Sequence, residues 1–397
     1  MAKKARQMVG RAFLIDIVRS PFGRGNESGI LHATHPVDLL AQTLQALIER
    51  SKIEPAEVDD FIAGCVIQVG EQAANVGRQA WLAAGLPESV PAVTIDRKCG
   101  STQQAMDFAA QGVIAGAYDV VIAGGVEMMS RVAMGSNSMG KDNFGALHCM
   151  RYPDGLVHQG ISAELVASHW DIDRQSLDAF AHRSHQLAAD AAARGITGRD
   201  IVAIGNADSD EGVRADTSLK KLSQLKPAFV NEKMIERYPE IAWRVTAGNS
   251  SQVSDGASAM LIASEHAVER LRLKPRATLS HFAVAGDDPI MMLTGIIPAT
   301  RKLLARADLL LDDIDLFEVN EAFSSVVLAW MRELGVGENK VNVNGGALAL
   351  GHPLGASGGR LTANLLGALE ETGGRYGLQT MCEAGGMANA TLIERLD

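Results

Sequence analysis

Two short segments 256 positions apart carry the same pattern, Val58-Asp59-Asp60-Phe61-Ile62 and Ile314-Asp315-Leu316-Phe317-Glu318. Carried forward, the same spacing takes Ser101 to Ser357, so Cys99-Gly100-Ser101 falls on Gly355-Ala356-Ser357. Each half then has a glycine-containing turn ahead of a helical pattern at the equivalent point. Such a chain is expected to fold as two similar halves about a pseudo-twofold axis, with the two turns facing each other. Alternating strand and helix patterns in each half imply mixed, largely parallel sheets with helices on both faces. A repeat of 256 in 397 residues leaves one half with a large insertion. The stretch from Gly124 to Ser250 is the candidate, being polar and irregular around one long helical pattern through Asp173–Arg194. Loops carried on a rigid core commonly bind ligand. The expected organisation is an N-terminal half from 1–123 with 251–275, an inserted loop domain at 124–250, and a C-terminal half at 276–397.

Composition narrows the function classes. The formal net charge of −10 argues against a general nucleic-acid or anionic-membrane surface. No run approaches the roughly 18 apolar residues needed to span a bilayer. The basic start, Met1 to Arg11, lacks the apolar core of a signal peptide and reads as a short leader. Cys65, Cys99, Cys149 and Cys382 show no C-x-x-C spacing, which speaks against a zinc ribbon or a disulfide framework and for a reducing, cytoplasmic setting. The pairs His182/His185 and His32/His35 lack a third ligand, so no metal site is expected.

Chemistry concentrates at three points. Apolar Val93-Thr94-Ile95 precedes Cys99 and helix-forming Gln103-Gln104-Ala105-Met106 follows it, a strand, a tight turn and a helix. A thiol at a helix N-terminus sits near exposed N–H groups and the positive end of the dipole, which favour thiolate, and Arg97 and Lys98 add to that field. The plainer alternative is that Cys99 is a small buried hydrophobe. His352 lies in Gly351-His352-Pro353-Leu354-Gly355-Ala356-Ser357-Gly358-Gly359. Packing alone would account for the glycines but not for an imidazole among them, so His352 is the candidate base for a cysteine nucleophile. Cys382, in Met381-Cys382-Glu383-Ala384-Gly385-Gly386, offers a second thiol to move a proton while the first carries an acyl group.

The segments Cys99-Gly100-Ser101, Asn320-Glu321-Ala322-Phe323, Gly351-His352-Pro353 and Cys382-x-x-Gly385-Gly386 occur together and in this order. With them the chain resembles the thiolase family, the acetyl-CoA acyltransferases and acetyltransferases, over almost its whole length. Its C-terminal wording, Gly373 to Glu383, is similar to bacterial thiolases of fatty-acid and sterol side-chain breakdown. The resemblance implies an α/β fold of two duplicated mixed-sheet halves in a five-layer αβαβα arrangement, with an inserted loop domain that holds CoA. It makes Cys99 the acyl carrier, His352 its activating base and Cys382 the second acid/base. Asn320 would hold a water that, with His352, forms one oxyanion hole, while the backbone N–H groups of Cys99 and Ala384 form the other. Ala384 stands where the family usually has glycine, so the second hole survives only if alanine adopts the required dihedrals.

The resemblance also implies CoA and acyl contacts. Arg214 matches a CoA contact and Leu225 an apolar one, whereas Lys220 and Lys221 read better as solvated lysines. Ala247 and Ser251 match the strand-turn along pantetheine. His158 opens a segment in which Gln159 replaces the family's methionine, and Met292 belongs to the opposite wall. The expected co-substrate is CoA, with no further cofactor, and the expected assembly is a homodimer or homotetramer. A decarboxylating ketoacyl synthase would share the nucleophile but not Cys382. A hydroxymethylglutaryl-CoA synthase would need a glutamate acid/base that Glu321 is not placed to supply. A non-catalytic acyl-CoA-binding relative would lack Cys99 or His352.

Overall fold

The computed structural model of the chain describes residues 10–396; most of the basic opening segment, through residue 9, lies outside the described residues. Ten strands are found among them: β1 Ala12–Arg19, β2 Gly23–Arg24, β3 Asp60–Gly64, β4 Ala92–Ile95, β5 Val120–Met128, β6 Ser254–Ser264, β7 Ala277–Gly286, β8 Leu316–Val319, β9 Tyr376–Glu383 and β10 Met387–Arg395. They hydrogen-bond in the order β4-β3-β5-β6-β1-β7-β10-β9-β8, with β2 pairing beside β6. The β3/β4, β3/β5 and β8/β9 pairs are parallel and the other six antiparallel, so the sheet is mixed as expected but mostly antiparallel rather than largely parallel, because the long central strands β6, β1, β7 and β10 all pair antiparallel. The halves are spliced where Ala12–Leu14 of β1 pairs with Ala277–Leu279 of β7.

The repeat is kept almost to the residue. The 3-10 turns Pro55–Glu57 and Leu311–Asp313, the helices beginning at Ser101 and Ser357, and strands β5 and β9 beginning at Val120 and Tyr376 all stand 256 positions apart. The halves differ at one edge: where Phe61 pairs with Ala92 of β4, Phe317 has only an isolated bridge to Val341.

Burial explains the layering. β5 is buried at every position and β6 at all but its last residue, because helices cover both faces and leave no solvated face to alternate toward. The helices Ser101–Ile114 and Ser357–Thr372 are buried on nearly all sides and pack between the half-sheets, with Ala105, Met106, Ala109, Leu365, Leu366 and Leu369 in one central core. The helices Pro36–Ser51 and Val76–Ala83 cover the outer face of the first half. Ile296–Ala307 and Ser324–Leu334 cover that of the second. The result is helix, sheet, helices, sheet, helix.

The insertion leaves the core at the end of β5, which runs on to Met128, past the expected boundary at residue 123, and returns at β6. It is tied back by a bidentate pair in which Arg19 donates to Asp210 at 2.6 and 2.7 Å, both side chains almost fully buried. Within it the helices Gln159–His169 and Arg174–Ala193 pack against the outer core of the second half.

Candidate active site

The N-termini of the two central helices meet, and each brings one reactive group. Cys99 sits in the turn between β4 and the helix Ser101–Ile114. Lys98 is left-handed (φ 49°), and its N–H donates to Asp96 Oδ1 at 2.7 Å. Ser101 Oγ accepts from Arg97 N at 2.9 Å and donates to Lys98 O at 2.7 Å, closing the turn from inside. The turn presents the thiol at 7% exposure. The backbone N–H groups of Cys99 and Ala384 act on its sulfur and favour the thiolate.

Electrostatically the turn departs from expectation. Burial pushes the Cys99 thiol up to about 12, the Glu383 carboxyl adds to that, and the backbone donors and Lys98 only partly offset it. Lys98 acts in the expected direction, but its ammonium is already 2.7 Å from Asp96 Oδ2. Desolvation therefore outweighs the helix N-terminus, and the resting nucleophile is a thiol.

His352 stands on the other turn. Ser254 Oγ accepts its backbone N–H at 3.1 Å. The ring is 4% exposed, and burial, then Arg360, lowers its pKa to about 3, so it is a neutral imidazole. Its Nδ1 lies 2.6 Å from Ser357 Oγ, which donates its own hydrogen to Pro353 O at 2.8 Å. Nδ1 therefore carries the ring proton and Nε2 is left unprotonated. Nε2 faces Asn320 Nδ2 at 3.4 Å, while Asn320 Oδ1 accepts from Arg360 at 3.5 Å. That pair of contacts fixes the amide orientation.

Cys382, near the end of β9, is 1% exposed. Burial raises its pKa and the neighbouring Cys99 raises it further, so the two sulfurs lie within electrostatic reach of each other. Ala384 follows β9 without adopting a left-handed backbone; those positions are Gly385 (φ 93°) and Gly386 (φ 75°). Alanine thus replaces glycine without steric cost, and its N–H still points at Cys99.

One residue that sequence reasoning passed over ties the His352 turn to the loop that follows β3. Glu127 of β5 accepts from Val66 N (2.9 Å), Ile67 N (3.1 Å), Gly355 N (3.0 Å) and Gln72 Nε2 (2.8 Å). A carboxylate in a strand otherwise buried and mostly apolar was the available signal, since such a group persists only when fully hydrogen-bonded.

A cavity of about 180 Å³ opens on His352 and is lined by His158, Gln159, Ser251, Phe229, Phe323 and Met134, among others. His158 and Ser251 thus line the same cavity as the base. Met292 does not line the cavity: it is 5% exposed, packed in the core that holds Cys382, with a left-handed backbone (φ 51°). Arg214, Leu225 and Ala247 lie away from the cavity and exposed. Leu225 approaches Gly248, where a Cβ would stand 2.5 Å from its Cδ1, so it neighbours Ala247. The Arg214 N–H donates to His185 Nδ1 at 3.1 Å. Lys221 is exposed and paired with Asp216 at 2.6 Å.

The family models for the thiolase N-terminal and C-terminal domains match residues 12–266 and 273–395. The chain belongs to the thiolase family. This thiolase is 46% identical over 399 aligned positions to the steroid 3-ketoacyl-CoA thiolase FadA6 of Mycobacterium tuberculosis, spanning 97% of this chain and 94% of that protein. It is 41% identical to a 3-ketoacyl-CoA thiolase of Pseudoalteromonas translucida, spanning 96% and 98%. The crystal structure of the Bacillus anthracis acetyl-CoA acetyltransferase superposes with a TM-score of 0.87 at 36% identity, covering 98% of this thiolase and all of that chain. The thiolase is accordingly an acyltransferase. A neutral thiol, a neutral imidazole with an unprotonated Nε2, a second thiol and two backbone N–H groups acting on one sulfur form a set suited to acyl transfer through cysteine.

Proposed function

We propose that this thiolase cleaves 3-ketoacyl-CoA with CoA, giving acetyl-CoA and a shortened acyl-CoA, and runs the reverse Claisen condensation with the same groups. The observation that carries the proposal is that Cys99 and Cys382 act on each other electrostatically, with the Ala384 N–H acting on the Cys99 sulfur, and that the turn before the facing central helix carries an imidazole already in the basic tautomer. His352 Nε2 takes the thiol proton as Cys99 attacks the 3-keto carbon. Because the resting thiol and imidazole are both neutral, proton loss accompanies attack rather than preceding it. The bond between the α and β carbons breaks and Cys382 protonates the departing acetyl-CoA carbanion. Cys382 then takes the proton of fresh CoA, whose thiolate removes the acyl group from Cys99. The oxygen of the carbonyl attacked by Cys99 faces the two backbone donors. The thioester oxygen of the acetyl-CoA unit faces His352 and an Asn320-held water. Each donor aimed at a developing oxyanion is worth about 2.7–4 kcal/mol of barrier.

The insertion at 124–250 holds CoA in this proposal, with Arg214 and Leu225 toward the nucleotide, Ala247 and Ser251 along pantetheine and His158 toward the acyl group. Acyl-CoA and CoA are the partners, without a further cofactor or metal. The working assembly is a homodimer formed at β4, which pairs only with β3 among the described residues and exposes Val93 at 43%. A tetramer would use the exposed Met139, Phe144, Leu147 and Met150 of the insertion. The setting is cytoplasmic, involved in fatty-acid β-oxidation or related lipid breakdown. All four cysteines are free, and no described helix is long and apolar enough to cross a membrane.

The test is intact mass after incubation with acetyl-CoA, together with acetoacetyl-CoA cleavage by free CoA. An acetyl adduct on wild type and on Cys382→Ala, absent from Cys99→Ser, is expected. No adduct and no cleavage by folded wild type would favour a binding relative instead.

A further inference from the structure

Behind the nucleophile turn lies a buried polar layer with no part in the chemistry above. Met381 of β9 pairs with Asn389 of β10, and Gln379 with Thr391. Glu383, Asn389 and Thr391 meet the start of the helix Ser101–Ile114. Gln103 Nε2 donates to Thr391 Oγ1 at 2.9 Å, Thr391 Oγ1 donates to Asp107 Oδ1 at 2.7 Å, and Asn389 Nδ2 donates to Gly100 O at 3.1 Å. Six further polar atoms here have no partner among the described residues: both Glu383 carboxyl oxygens, Asp107 Oδ2, Asn389 Oδ1, Gln103 Oε1 and Gln104 Oε1. Every one is an acceptor, on a residue no more than 2% exposed. The layer lacks donors, and a protonated carboxyl is the one change of state within it that supplies one.

Glu383 is the carboxyl that bears on the nucleophile. Its Oε1 stands 2.1 Å from the point a Cβ on Gly100 would occupy, so it lies directly against the residue after Cys99. In the chain it falls between Cys382 and Ala384, the N–H donor to Cys99. Besides the two thiols, the charged groups facing it are Arg97, Asp107 and Asp96, and only Arg97 favours its anion. Of the side-chain charges acting on Cys99, Glu383 opposes thiolate and Lys98 supports it. Burial and the two aspartates outweigh Arg97 and push the Glu383 carboxyl up to about 8.

We propose that Glu383 is a positioning residue for acyl transfer, held as an uncharged carboxylic acid so that no negative charge stands against the Cys99 thiolate or the oxyanion beside it. The proposal rests on the acyl-transfer function above. Losing the Glu383 proton in mildly alkaline solution makes both thiols harder to ionise, in the range where rising pH should otherwise speed them.

The experiment follows alkylation of Cys99 by iodoacetamide from pH 6.5 to 9.5, resolved from Cys382 by peptide mass, in wild type and Glu383→Gln. In wild type the logarithm of the rate should rise with unit slope to about pH 8 and less steeply above. In Glu383→Gln unit slope should continue, so its ratio of rate at pH 9.5 to rate at pH 7 should exceed wild type's by about three- to tenfold, up to one pKa unit. Unit slope in wild type through pH 9.5 overturns the proposal even if the variant does not fold. So do superimposable profiles of the two folded proteins. The readout needs no turnover: cleavage of acetoacetyl-CoA with superimposable profiles removes this inference and leaves the function standing. A Glu383-dependent profile without cleavage removes the function and with it the role in acyl transfer, leaving only the control of Cys99 ionisation by Glu383.

Discussion

His352 and Ser357 are joined ring nitrogen to hydroxyl at 2.6 Å within one loop, and the hydroxyl passes its own hydrogen to Pro353 O. This short relay decides which imidazole nitrogen can act as a base. It also rests on the residue that opens a central helix, so the tautomer is set by the fold rather than by a mobile side chain.

Ser357→Ala removes the acceptor at Nδ1 and lets the ring sample the wrong tautomer. The expected result is a fall of about 10- to 100-fold in the rate of Cys99 acetylation by acetyl-CoA, within what general-base catalysis contributes, with little change in unfolding midpoint. Stopped acylation read by intact mass checks it; an unchanged rate would mean that Asn320 alone orients the ring.

Arg360 donates to Glu318 at 2.6 Å with both side chains nearly dry, and also reaches Asn320. Burial raises the Glu318 carboxyl even beside this cation. Arg360→Leu strands that carboxyl and should cost about 3–5 kcal/mol. The double variant Arg360→Leu/Glu318→Leu should recover much of the loss, as a denaturant series would show.

His185, 3% exposed, accepts the Arg214 N–H, and burial lowers its pKa to about 4. The unfolded chain binds that proton near pH 6.5 and the folded chain does not, so this contribution to stability is full above about 6.5 and is lost as pH falls toward 4. His185→Gln should flatten the wild-type decline over that window. Equal slopes in the two proteins, measured by thermal unfolding at each pH, would contradict the assignment.

Gly358 meets the other central helix so closely that a Cβ there would lie 2.2 Å from Gln103 N. Gly358→Ala should destabilise by about 1–3 kcal/mol or more as an overpacked contact. It should also slow acylation, because the helices carrying Cys99 and His352 must part. Unfolding temperature and acylation rate in the same preparation test both.

How far the sequence spoke depended on what each feature requires. The duplicated halves were legible because strands, turns and helix starts recur at a constant spacing that small shifts would destroy. Cys99, His352 and Cys382 stood out because such residue types beside glycines at turns have few structural uses, whereas Asn320, in Val319-Asn320-Glu321-Ala322-Phe323, stood out only through the resemblance to thiolases. The protonation state of Cys99 was not, since desolvation depends on everything packed around a sulfur and a helix N-terminus is visible locally. Glu127, Ser357 and Glu383 were missed for a similar reason: their partners come from other segments, so their importance exists only once the chain has folded. Met292 shows the converse: its motif pointed to the acyl wall, and its side chain is buried in the core cluster that also contains Cys382, outside the lining of the cavity on His352.

Because nucleophile and base ride on separate helices that touch through glycine backbone, their separation is gauged by the thinnest part of the interior. A methyl group added anywhere along that seam acts as a shim. Catalytic rate in this protein should therefore report on core dimensions well before unfolding does, making turnover a finer calliper of the interior than any melting curve.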